Sequence, residues 1–225
     1  MDDPALPAAE HDHALRGLAR LNAISRSHRL LWPRLRTLAR RSSRPLHVLD
    51  VASGAADLPV RLDRVARSVG VSLQWILSDR SPHALDHALA RARSAGLDCQ
   101  AVRVDAVQDP LPPADVVMNS LFLHHFDHED ATRILRGMRQ AARLAVGVTD
   151  LRRTRLALGL VWLGSRLVTR SPVVHHDATA SVRAAHAPAD IRDMAERAGM
   201  HGASIEVADP VRWRLWWTPE GNMAT

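Results

Sequence analysis

The sequence predicts a doubly wound α/β domain on a mostly parallel sheet, and three observations carry that expectation. From Leu46 onward, short apolar runs of strand length alternate with segments of helical periodicity. The first run, Leu46-His47-Val48-Leu49-Asp50-Val51, ends near an acid and enters a turn of small residues, Ala52-Ser53-Gly54-Ala55-Ala56. The second run, Leu73-Gln74-Trp75-Ile76-Leu77-Ser78-Asp79, also ends in an acid. A tight turn followed by a helix, beside a second acid-terminated strand, makes a crevice suited to a nucleoside cofactor.

The elements follow in order. Residues 1–9 read as disordered. Residues 10–44 read as one or two amphipathic helices, with Leu15, Leu18, Leu21 and Ile24, then Leu30, Leu31, Leu35 and Leu38, on one face and arginines on the other. This N-terminal arm, residues 1–44, is expected to pack on the domain edge, to act as a lid, or both. Strand one covers about 46–52 and the next helix about 57–69, stopped by Gly70. Strand two covers about 72–79. Ser81 caps, and Pro82 opens, a helix that ends at Gly96. Strand three, about 99–105, starts at Cys99, and the proline-rich segment 108–113 is a rigid loop. Strand four is about 114–121, a helix runs from about His128 to Arg143, and strand five is about 145–150. Residues 152–169 form a nearly apolar helix, interrupted by Arg166 and too short to span a bilayer. Residues 170–187 read as a polar, histidine-rich loop, so that 152–187 is a helix–loop insertion. A helix over 188–198 ends at Gly199, and strands at about 202–208 and 211–217 form an antiparallel pair. The main domain is thus 45–218, with a tail at 219–225.

Composition narrows the function. A chain of 225 residues suffices for one such domain. The formal charge is +6, and every one of the 30 basic residues is arginine. The arginines are dispersed and aromatic residues make up only 4%, so a nucleic-acid partner is not expected. The single cysteine, Cys99, excludes an intrachain disulfide and reads as inert packing at the start of a buried strand. With no signal-peptide pattern and no membrane-spanning run, a cytoplasmic location is expected.

The acids at the turn choose between cofactors. A dinucleotide fold places its pyrophosphate at the first helix N-terminus, where amides and the helix dipole favour negative charge. Here Asp50 and Asp57 flank that turn and would repel it. They would attract a ligand with an ammonium and a sulfonium, such as S-adenosylmethionine (SAM). Ala52, Gly54 and Ala56 fill the alternating slots of the turn, and only one is glycine.

The run from Val48 to Leu62, VLDVASGAADLPVRL, resembles the first motif of the class I SAM-dependent methyltransferases. The resemblance continues through Asp79, through Val104-Asp105-Ala106, and through Asn119-Ser120-Leu121-Phe122-Leu123-His124-His125-Phe126, and covers about 45–218. Within the class it is nearest to small-molecule enzymes of the quinone-biosynthesis type, including those found with bacterial polyketide pathways. The chain departs from the family by carrying alanine at 52 and 56, where glycine is usual. The resemblance implies a Rossmann-like seven-stranded sheet of order 3-2-1-4-5-7-6, with SAM as cofactor.

Site residues follow. Gly54, in the turn with Ala52 and Ser53, is the point of closest approach to the cofactor. Asp50 is expected to orient the methionyl ammonium, and Asp79, followed by Arg80, to accept both ribose hydroxyls. Asp105 with Ala106 resembles the segment that meets the adenine, and Asn119 is expected to face the methionyl part. His124 is the expected base or substrate-orienting group. By the family pattern the first histidine of the pair faces the transferred methyl, and His125 packs inward. His175, His176 and Arg183 are weaker substrate contacts, with His186 near the same mouth. His175, His176 and Asp177 contain a possible ligand set, but adjacent histidines diverge, and no metal is expected.

The expected reaction is methyl transfer from SAM to a small, fairly apolar acceptor, a phenolic or polyketide hydroxyl first and a ring carbon second. The apolar helix and Trp213, Trp216 and Trp217 are either pocket walls or core. The alternatives are an RNA or DNA methyltransferase, or a non-catalytic SAM-binding module serving a partner. Asn119-Ser120-Leu121-Phe122 lacks the Asn/Asp-Pro-Pro-aromatic pattern of base-amine methylation.

Overall fold

Apolar runs with both faces covered become the central strands, and polar-edged runs fall to the rim. The computed structural model describes residues 27–169 and 171–219. In it the strands are β1 (Leu46–Val51), β2 (Leu73–Asp79), β3 (Cys99–Arg103), β4 (Ala114–Ser120), β5 (Ala142–Leu151), β6 (Ser204–Val207) and β7 (Arg212–Trp217). They form one sheet in the order β3-β2-β1-β4-β5-β7-β6, as expected. β1 to β5 are mutually parallel, and β7 runs antiparallel to both β5 and β6. β4 is buried along nearly its whole length, as a parallel strand covered on both faces must be. The chain order reverses between β1 and β4, so the crevice beyond their carboxyl ends is the switch point where ligands bind in such sheets.

The helices are α1 (Ser27–Arg41), α2 (Asp57–Ser68), α3 (Pro82–Ser94), α4 (His128–Ala141), α5 (Arg155–Val168), α6 (Pro172–Ala184) and α7 (Pro188–Arg197), with a short 3-10 turn at Leu123–His125. Two cores cover the two faces. One joins Leu49, Val117, Val146 and Val148 to Ile134, Leu135 and Met138 of α4 and Ile191 and Met194 of α7. The other joins Val48, Trp75, Leu77, Val116 and Met118 to Leu31 and Leu35 of α1 and Leu62 of α2. α1 therefore packs on a face of the sheet and not only at its edge, and is tied to β7 by Arg212 Nη1 on Ser27 Oγ (2.9 Å) and Arg214 Nη1 on the Leu30 carbonyl (2.7 Å). Leu15, Leu18, Leu21 and Ile24 lie outside the described residues.

Several expectations are corrected. Residues 172–184 are not a loop but the helix α6, capped by Ser171 with Pro172 in the first turn. The Ser171-Pro172 pair repeats the Ser81-Pro82 start of α3, and the polar histidines after it masked the same signal. Cys99 is only half-buried, because β3 is an edge strand; partial burial, and the nearby Asp98 charge against Arg93, raise its thiol pKa and keep it inert. Trp213, Trp216 and Trp217 are core and not pocket walls. Trp216 also explains Gly147: a Cβ there would lie 2.8 Å from its ring. α5 leaves Leu156, Leu160, Trp162, Leu163 and Leu167 open to solvent, so its apolar composition does not mark a core helix among the described residues. No helix among them is long and apolar enough to cross a membrane.

Candidate active site

On the β1–β2 side, backbone builds the site. Ala52, Gly54 and Ala56 all adopt left-handed conformations, with φ of 56°, 51° and 56°. Only glycine takes that geometry without cost; for alanine the penalty is about 1–2 kcal/mol per residue. The turn is held by Ser53 N–H donating to the Ser78 carbonyl (2.8 Å), while the Ser53 and Ser78 hydroxyls both donate to the Asp50 carbonyl. Gly54 N–H donates to Asp79 Oδ2 (3.0 Å), and Ser81 N–H to Asp79 Oδ1 (2.9 Å). Asp79 thus pins the turn and the start of α3, and each of its oxygens keeps a lone pair for a hydroxyl. A Cβ built on Gly54 meets nothing within 4 Å, so the turn faces open space.

Asp50 is buried, and its carboxyl pKa is pushed up to about 7. Burial is the main cause; a Ser53 hydrogen bond opposes it and the Asp79 charge adds to it. Asp57 does not share this role. Its carboxylate meets Arg91 of α3 at 2.6 Å, so the negative border of the crevice is Asp50 and Asp79, and not Asp50 and Asp57 as the sequence suggested.

At the end of β4, Asn119 Nδ2 donates to the Val51 carbonyl (3.4 Å), and its fully buried Oδ1 has no hydrogen-bond partner. Arg80 and Asp105 come together, with Ser81, Arg103 and Asp109, around an open cavity of about 430 Å³ at the β2–β3 rim. Asp105 Oδ1 accepts from Val107 N–H (3.0 Å), and Ala106 is half-buried beside it. These features fit SAM. A cation beside Asp50 restores its charged form, a donor satisfies Asn119 Oδ1, and Asp79 accepts from hydroxyls.

On the β4–β5 side, side chains build the site. Leu121, just past β4, has φ of 57°, and the chain then coils into the turn that carries His124. His124 Nδ1 lies 2.7 Å from Asp150 Oδ1 at the end of β5, and the His124 N–H donates to Asp150 Oδ2 (3.1 Å). Both side chains are buried. Burial works against the charged imidazole, but the charge and hydrogen bond of Asp150, with Asp177 of α6 assisting, outweigh it and raise the His124 pKa. Burial likewise opposes the Asp150 charge, and His124 with the backbone N–H groups of Leu151 and His124 outweighs that and lowers its pKa.

His125 is exposed, its ring 4.1 Å from that of His124, so the second histidine of the pair does not pack inward; the first does. His175 Nε2 donates to the Thr169 carbonyl (2.8 Å), which turns it to its own helix start. His176 and Arg183 are exposed on α6, the helix whose Asp177 acts on His124. His186 is buried and donates from Nε2 to the Leu123 carbonyl (3.1 Å). The functional residue that the sequence reading missed is Asp150. The available signal was an acid near the end of a third central strand, the pattern already recognised at Asp50 and Asp79.

Residues 48–144 match a family model described as a methyltransferase domain. No curated protein sequence matches the chain. Among solved structures it is similar to the magnesium protoporphyrin IX methyltransferase of Synechocystis PCC 6803 with bound SAH. That match has a TM-score of 0.58 and 16% identity over 96% of this chain and 89% of that one. It is also similar to an O-methyltransferase family 2 protein of Planctomyces limnophilus in complex with apigenin, with a TM-score of 0.62 and 17% identity over 97% of this chain and 63% of that one. A SAM-dependent methyltransferase of Aquifex aeolicus gives 0.55 and 13%, over 84% and 90%. With two further O-methyltransferase and SAM-dependent methyltransferase structures this chain spans 56% and 55% of their length. Sequence motif, sheet order and cofactor-side geometry point the same way: residues 48–144 of this chain match a methyltransferase domain, its sheet has the fold of the SAM-dependent methyltransferase structures to which it is similar, and the crevice fits SAM.

Proposed function

We propose that the protein methylates an oxygen on a small, largely apolar acceptor, with His124 as the proton acceptor and Asp150 as the residue that holds it. The buried His124–Asp150 pair, at the carboxyl ends of β4 and β5 beside the cofactor crevice, carries this reading. When bound, SAM supplies a methyl carbon already activated by its sulfonium. The chain's task is therefore alignment, exclusion of water and removal of a proton.

The tautomer follows from the pair. Asp150 accepts from Nδ1–H, so in the neutral ring Nε2 carries the lone pair. An acceptor hydroxyl placed on Nε2 gives up its proton there, and the resulting imidazolium is stabilised by Asp150. On the opposite side, Asp50 and Asn119 Oδ1 hold the methionyl end, Asp79 the ribose, and the Arg80–Asp105 rim the base. The solvent-exposed apolar residues of α5 begin a few positions after Asp150, which supports an apolar acceptor. Structural relatives such as the apigenin complex and mitomycin 7-O-methyltransferase bear names consistent with small acceptors.

Methyl-labelled SAM incubated with a panel of phenols and polyketide-like hydroxyls tests the reading. Labelled methyl ether is the expected product, formed at a rate that rises with pH through a pKa above the ordinary histidine value. Label on ring carbon would move the acceptor to carbon. SAM binding with no turnover on any acceptor would favour a non-catalytic module.

A further inference from the structure

We propose that His128, His186 and Asp190 form a binding site for a divalent transition cation of zinc's class, distinct from the methyl-transfer centre. One donor atom from each lies within 4.8 Å of the others. His128 is the first residue of α4, His186 sits in the α6–α7 connection, and Asp190 is in the first turn of α7. His186 and Asp190 are four residues apart in sequence, and His128, from a distant segment, joins them only in the fold. His128 Nε2 is 3.9 Å from Asp190 Oδ2, and the two imidazole centroids are 5.2 Å apart.

Hydrogen bonds prepare two of the three ligands. The Leu123 carbonyl can only accept, so His186 Nε2 carries the proton and Nδ1 keeps its lone pair. A ring whose second nitrogen donates to a backbone carbonyl has the usual arrangement of a metal-ligating histidine. Asp190 is oriented by Ala187 N–H, which donates to Oδ2 (3.0 Å). Arg153 Nη2 competes at 3.5 Å, but this pair is long and the arginine is largely exposed. Zinc bound by nitrogen and oxygen at about 2.0–2.2 Å needs donors about 3.3 Å apart in a tetrahedron, so the three must draw together by up to about 1.5 Å. The exposed side chain of His128 is free to make most of that movement. Two histidines and one carboxylate leave the remaining positions to water.

The site would tie the first turns of α4 and α7 through His186 to the carbonyl that precedes His124. The test titrates Co2+, as a coloured stand-in for Zn2+, into the chelator-stripped full chain. One tight equivalent with visible absorption is expected, along with a thermal midpoint that rises with added Co2+. His128→Ala and Asp190→Asn, with folding checked by circular dichroism, are each expected to weaken binding by at least about tenfold, the loss that outer-shell changes alone produce. The exposed pair His83 and His87, with Nε2 atoms 3.2 Å apart, is the obvious competitor. A His83→Ala/His87→Ala double variant, and a His11→Ala/His13→Ala double variant, should bind as the wild type does. Unchanged affinity in His128→Ala and Asp190→Asn, loss of the site in either double variant, or weak binding typical of an adventitious ion only would each overturn the proposal.

Discussion

The two halves of the crevice are made by different means. On the β1–β2 side the working parts are a strained turn, backbone N–H groups and two carboxylates, all close in sequence to the strands that carry them. On the β4–β5 side the working parts are two buried side chains, His124 and Asp150, that meet across 26 residues. The first half binds a ligand whose shape and charge are fixed. The second carries the proton transfer in the proposed reaction and borders the more exposed helices α5 and α6. On this account binding and chemistry are separable, and substitutions can pull them apart.

The largest effect is expected on the chemical half. His124→Ala should lower kcat by about 10²–10⁴-fold, the range for losing a general base, while SAM affinity stays within about twofold. Asp150→Asn should lower kcat as well, and because it removes the charge that raises the His124 pKa, the rising limb of the pH–rate profile should move to lower pH. A pH profile that stays in place would detach Asp150 from the reaction.

A smaller effect is expected on the binding half. Asp79→Ala removes a charged acceptor, a loss of about 1.5–3 kcal/mol that corresponds to roughly 10–100-fold weaker SAM binding, read by calorimetry. If the rate at saturating SAM also fell by orders of magnitude, the separation of the halves would fail.

Smaller still is a proton linked to binding. Without a ligand, Asp50 takes up its proton near pH 7, whereas a cation beside it favours the carboxylate. SAM binding should therefore release a proton around neutral pH, with affinity falling about fivefold from pH 7 to pH 6. The sign for the unliganded protein is opposite. A raised carboxyl pKa means that the native state holds a proton the unfolded state has lost between about pH 4 and 7, so the stability this group contributes declines as pH rises through that window. Titrations in buffers of differing ionisation enthalpy, with Asp50→Asn as control, read both.

The smallest effect concerns the turn itself. Ala52→Gly and Ala56→Gly relieve left-handed strain but add freedom to the unfolded chain. Each should change stability by less than about 1 kcal/mol in chemical denaturation.

The same contrast explains what was legible in the sequence. The strands, the Asp50–Gly54 turn and Asp79 rest on local signals: apolar runs, strand-end acids and small residues, while the sheet order is what the family resemblance implies. The structure brings them together as expected. Asp57 misled because charge was visible and its partner was not; Arg91 reaches it from α3. Asp150 was passed over because its meaning depends on a histidine from another element. His124 and His125 could be located but not oriented, since burial of one and exposure of the other are set by the left-handed Leu121 and the turn after it. The indoles of β7 read as pocket or core in the sequence, and their burial in the two cores decides.

The division between the two halves is tested most directly by titrating SAM into His124→Ala and Asp79→Ala under one set of conditions. The account predicts wild-type affinity for the first and at least tenfold weaker binding for the second. The reverse pattern, with His124→Ala losing SAM and Asp79→Ala retaining it, would contradict it.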